Sequence, residues 1–142
     1  MNSMSRILIT LTCLFMLAAC SSSGLVKNDF PADQRFLDVA ENPKKFEGHE
    51  VTLRAWITLR HEDRNLWATM KDHESWKPVR CLSLVNYDAL ANLEPDLDGH
   101  FVEVTGTVIN DASNNGTVIR LGACRDSAIE ISGPSAVRLM TQ

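Results

Sequence analysis

Gly48-His49-Glu50-Val51-Thr52-Leu53-Arg54-Ala55-Trp56-Ile57 and Gly99-His100-Phe101-Val102-Glu103-Val104-Thr105-Gly106-Thr107-Val108 carry the same instruction twice: a turn glycine, a histidine, then a strand. In the first, Val51, Leu53, Ala55 and Ile57 alternate with Thr52, Arg54, Trp56 and Thr58, so one face is apolar and the other polar. Each strand holds a small residue, Ala55 or Gly106, as expected where a strand bends sharply around a barrel. An internal duplication would produce this likeness, and so would one curvature demand made twice.

The neighbouring segments extend the pattern. Asp63-Arg64-Asn65 predicts a turn into a second strand over 66–70, and the polar stretch 71–78 leads to a third over 79–85. Residues 87–97 read as a short helix interrupted by Pro95, and 101–109 as the fourth strand. Ser113-Asn114-Asn115-Gly116 predicts a hairpin turn into a fifth strand over 117–124, with 128–131 as a short edge strand. Upstream, 32–41 carries Phe36, Val39 and Ala40 at helical spacing until Asn42-Pro43 stops it. The predicted fold is therefore mainly β: a five-stranded OB-like Greek-key barrel with a short N-terminal helix and a short helix between strands 3 and 4.

At the amino end, Met1 to Arg6 gives a short positive segment, and 7–19 is apolar but shorter than the ~20 residues that span a bilayer. It ends in Leu17-Ala18-Ala19-Cys20, which closely resembles a bacterial lipoprotein signal. That resemblance implies cleavage before Cys20, lipid on its thiol, and a partner in the bilayer reached through acyl chains. Ser21 stands where an aspartate would resemble an inner-membrane retention signal, so the expected location is the outer membrane, facing the periplasm. The expected domain plan is signal peptide 1–19, acylated cysteine and tether 20–29, barrel 30–134 and C-terminal tail 135–142. Cleavage removes only Arg6 among the basic residues, leaving 13 against 18 acids and a charge of −5. With no basic concentration anywhere, nucleic acid is not an expected partner.

Cys13 leaves with the signal and Cys20 takes lipid, so Cys81 and Cys124 remain as a pair in an oxidising compartment, where a disulfide is expected. The lead-in Asn42-Pro43-Lys44-Lys45-Phe46-Glu47-Gly48, with Asp98-Gly99-His100 ahead of the fourth strand, resembles small bacterial OB-fold proteins whose barrel follows an Asn-Pro-x-x-aromatic-x-Gly segment. That likeness implies fold and no catalytic signature. In such barrels the third and fifth strands are neighbours, which would bring Cys81 and Cys124 together.

Candidate chemistry is thin. His49, His61, His73 and His100 lack metal-site spacing, and Glu94-Pro95-Asp96-Leu97-Asp98-Gly99 fails as a calcium loop because Thr105 stands where a bidentate glutamate is needed. Ser75 and Ser83 lack a nucleophile elbow, and no histidine follows His100 to resemble the haem-carrying periplasmic OB proteins. Neither enzymatic activity nor a cofactor beyond the covalent lipid is expected. What stands out is aromatic: Trp56, Trp67 and Trp76 interleaved with Arg54 and Arg60, a candidate surface for stacking on rings. The expected function is a lipid-anchored module that binds an envelope protein, peptide or glycan. The alternative is an inhibitor or immunity-type lipoprotein, offering Asp88, Glu94, Asp96 and Asp98 to a basic cleft of a periplasmic enzyme or toxin.

Overall fold

The two glycine-led segments pair with each other. In the computed structural model, which describes residues 30–60, 62–117 and 124–141, β1 (Glu50–Thr58) and β4 (His100–Ile109) run antiparallel from Glu50 opposite Thr107 to Ile57 opposite His100. Leu53 faces Val104, its own counterpart 51 positions later, so the pairing has a local pseudo-twofold axis at that point.

The turns obey the same axis. The Gly48 N–H donates to the Val108 carbonyl and the Gly99 N–H to the Ile57 carbonyl, both at 2.9 Å. Their φ angles, +73° and +74°, lie in the left-handed region where any other residue costs about 1–2 kcal/mol. The carboxylates just before them repeat the device: Glu47 accepts from the Asn110 N–H at 2.5 Å and Asp98 from the Leu59 N–H at 2.8 Å. Each turn is preceded by a single helical turn, α2 (Pro43–Phe46) in one case and α4 (Glu94–Leu97) in the other.

β2 (Asn65–Trp67), β3 (Cys81–Val85) and β5 (Ala128–Glu130) complete the ring in the order β1-β2-β3-β5-β4, and β4 closes on β1. All neighbours are antiparallel except β3 and β5, giving a closed mixed barrel with the predicted OB-like strand order. β6 (Val137–Leu139) lies outside the ring. It pairs with residues 102–104 of β4, on the same edge that β5 occupies at 107–109.

Several expectations need correction. The fifth strand was expected over 117–124, of which 118–123 lie outside the described residues; the strand that closes the barrel here is 128–130, expected only as an edge. Residues 137–139, assigned to a tail beyond the barrel, hold its outer strand. The polar stretch 71–78 contains most of a helix, α3 (Met70–Glu74), and a 3-10 turn, Pro78–Arg80, precedes the third strand. The helix over 87–97 is two separate turns; Pro95 sits inside the first turn of α4, where its missing N–H has no helical partner to lose.

α1 (Gln34–Glu41) begins where Asp33 accepts from the Arg35 N–H, and it packs Phe36 and Val39, both fully buried, against the barrel. Truncating Phe36 to alanine would cost about 3–5 kcal/mol. Inside the ring, Leu53, Ile57, Leu66, Leu82, Leu84 and Val102 meet. Gly106 is required for a more local reason than curvature: a Cβ there would lie 2.5 Å from the Glu130 carbonyl oxygen and 2.6 Å from Ile129 Cγ2, so β5 could not approach. The Cys81–Cys124 disulfide joins the start of β3 to the chain ahead of β5, and closing 43 positions stabilises the fold by about 4 kcal/mol on the chain-entropy estimate.

Candidate functional site

On the outer face of β1 to β3 the side chains run in rows across the strands: Trp56, Trp67 and Cys81 in one, Thr58, Asn65 and Ser83 in the next. The chain covers part of this face with its own α3. Trp67 is completely buried, with the rings of His73 at 5.1 Å and Trp76 at 5.8 Å against it.

The cover is held at both ends. At its start, Thr69 Oγ1 accepts from the Asp72 N–H at 3.1 Å and donates to Asp72 Oδ2 at 2.6 Å. The buried Asp72 carboxylate also faces Arg80 at 3.4 Å and Lys77 at 3.7 Å. At its end, the Trp76 N–H returns to the His73 carbonyl and the Lys77 N–H to the Asp72 carbonyl, the pattern that closes a helix through a left-handed residue. That residue is Trp76, at φ +49°, where glycine is usual and a bulky side chain costs about 1–2 kcal/mol.

Beside the cover, an open cleft of about 490 Å³ lies between the end of β1, α3 and the turn before β4, lined by Trp56, Thr58, Arg60, Asp63, His73 and Asp98 among others. Trp56 is half-buried on the outer face of β1, and the Phe101 ring meets it edge-on at 5.5 Å. Gly99 leaves the nearby indole carbons bare, because a Cβ there would sit 3.8 Å from Trp56 Cζ2.

An ion pair and a hydrogen-bonded histidine–carboxylate pair frame this wall. Arg60 Nε meets Asp98 Oδ2 at 2.8 Å while the other Asp98 oxygen holds the Leu59 N–H, so a backbone bond fixes the carboxylate that orients the arginine. The Arg60 side chain remains 66% exposed. Asp63 Oδ2 meets His73 Nε2 at 2.9 Å, and its Oδ1 accepts from the Thr58 hydroxyl at 2.8 Å and the Asn65 amide at 2.7 Å. Thr58 in turn accepts from the Trp67 indole N–H at 3.2 Å. Its hydroxyl is committed in both directions, an arrangement that braces the loop and does not present a nucleophile.

Of the five residues the sequence grouped as a binding surface, the cleft collects two, Trp56 and Arg60. Trp67 is a correction: it supports the cover and presents no surface. Trp76 is 61% exposed on top of it, and Arg54 sits toward α1, where its backbone N–H donates to Asp33 at 3.0 Å. Cys20 lies outside the described residues. Sequence reasoning missed Asp63 and His73 as a pair and Asp98 as a cleft residue. The repeated acid-Gly-His triplet, Glu47-Gly48-His49 and Asp98-Gly99-His100, was the available signal for Asp98.

Among the described residues, no group of three histidines, cysteines or acids could hold a metal ion, and no helix is long and apolar enough to cross a membrane. Neither a protein-family model nor a curated protein matches this chain.

Proposed function

We propose that this chain is a non-catalytic binding module of the bacterial cell envelope, anchored by acyl chains on Cys20 at the outer membrane, that holds part of a protein, peptide or glycan in the cleft at Trp56. The observation that carries the reading is the cleft itself: a partly exposed indole, the Arg60–Asp98 ion pair and the hydrogen-bonded Asp63–His73 pair, fixed to a closed barrel. Groups pre-set on a rigid frame bind without a large ordering cost, which is how small-ligand sites are built. The committed Thr58 hydroxyl favours holding a ligand over transforming it. The inhibitor reading has less support, because of its four acids only Asp98 borders the cleft.

Two measurements test the proposal. Fractionation with labelled palmitate is expected to find the full chain acylated in the membrane and its Cys20→Ala variant unlabelled. Retention of the protein on immobilised envelope fragments is expected to fall roughly tenfold or more with Trp56→Ala. Unprocessed chain in the cytosol would defeat the anchoring claim, and unchanged retention would defeat the cleft.

A further inference from the structure

Building on the cleft as a binding site, we propose that its occupant is a neutral saccharide ring, stacked on Trp56 and hydrogen-bonded by the Arg60–Asp98 pair. The charges argue for neutrality. Asp63, Glu74 and Asp98 line the cleft against the one arginine described there, Arg60, so an incoming anion would meet carboxylates, while a cation would find the Asp98 oxygens held by Arg60 and the Leu59 N–H and those of Asp63 by His73, Thr58 and Asn65. A sugar hydroxyl has neither difficulty, since it donates to a carboxylate and accepts from a guanidinium at the same moment. The pair is 66% exposed on the arginine side and 14% on the aspartate side, so the guanidinium N–H groups that Asp98 leaves free are its main donors to a hydroxyl, with the rim of the carboxylate as acceptor beside them.

The apolar half of a sugar ring needs a flat partner, and Trp56 supplies it beside that pair. Gly99 keeps side-chain bulk off the indole, and the edge-on Phe101 ring fixes its tilt. The volume, about 490 Å³, falls in the range of small-ligand sites, roughly 300–1,000 Å³, and fits a short saccharide. The pseudo-twofold axis supplies an internal control. At the equivalent end of the barrel, Trp56 is replaced by Thr107 and Arg60 by Asp111, although the backbone does the same work there, so the turn itself does not require these side chains.

The test is a tryptophan-fluorescence titration of the detergent-solubilised, full-length processed protein with four probes: the N-acetylglucosamine disaccharide, maltose, a Lys-Gly-Lys peptide and inorganic phosphate. Saturable quenching by a neutral disaccharide is expected, weakened roughly tenfold or more by Trp56→Ala and less by Trp56→Phe. Arg60→Gln is expected to weaken it about tenfold with an unchanged circular dichroism spectrum. Quenching by the peptide or phosphate alone, with the same dependence on Trp56, would overturn the saccharide and leave the binding module standing. Failure of every probe together with loss of retention on envelope fragments would overturn both. Sugar binding indifferent to both substitutions would put the site elsewhere.

Discussion

The two ends of the β1–β4 ribbon share a backbone and differ in what they display. At both, an acid, a left-handed glycine and a histidine turn the chain, and the acid holds an N–H across the ribbon. At one end Trp56, Thr58 and Arg60 border a cleft; at the other the matching positions are Thr107, Ile109 and Asp111. There Asp111 turns inward to its own loop, accepting from the Ser113 hydroxyl at 2.6 Å and the Asn115 N–H at 2.8 Å. The residues common to both ends are those the fold needs. Of those that differ, Trp56 and Arg60 are open to a ligand, while Thr58 is held by Asp63 and Trp67.

The largest test of this division is in the strands. Gly106→Ala should destabilise the protein by about 3 kcal/mol in urea unfolding, because β5 must back away, whereas its counterpart Ala55→Gly should cost only about 0.5–1 kcal/mol. Equal losses would mean the two halves pack alike and the contact with Glu130 is not decisive. Next, Asp98→Ala should lose about 1–3 kcal/mol by orphaning the Leu59 N–H and should also weaken the cleft ligand, while Glu47→Ala should lose less, in keeping with its exposed bond, and leave binding intact. Gly48→Ala and Gly99→Ala should cost a similar 1–2 kcal/mol each, approximately, yet only the second should alter the Trp56 emission on ligand addition.

The smallest effect is one of pH. The Ser113 hydroxyl, then the Asn115 N–H, hold the Asp111 carboxyl below its ordinary 3.8. A lowered folded-state value means its contribution is in place at neutral pH, persists down to the unfolded value and is lost as pH falls through the folded one. Asp111→Asn should therefore flatten a slight loss of stability on acidification below about pH 4, read from melting curves at stepped pH.

Legibility in the sequence followed length and periodicity. β1 and β4, long and alternating, could be read directly, and the Cys81–Cys124 pairing followed from the expected loss of Cys13 with the signal and of Cys20 to lipid. β5 was read only as a short edge strand over 128–131 and β6 not at all, because three residues such as Ala128-Ile129-Glu130 are too few to show a period and draw their stability from the strands beside them. α3 was hidden for the same reason, four of its five residues being polar and its start held by Thr69 and Asp72 in place of an apolar stripe. That omission bears on the site: without α3 on the outer face, the sequence groups Trp67 with the candidate surface, whereas the helix buries it completely. The pairing of Asp63 with His73 joins a loop to that same helix and had no spacing to betray it.

β6 has a consequence for how the protein is made. Until residue 137 is available, positions 102–104 of β4 offer bare amides and carbonyls along half an edge, next to an apolar core. A nascent or clipped chain stopping short of that point would expose a ready template for strand exchange with a sister molecule. Three residues at the rim thus act as a guard against self-association, and their removal should be visible as oligomers before it is visible as unfolding.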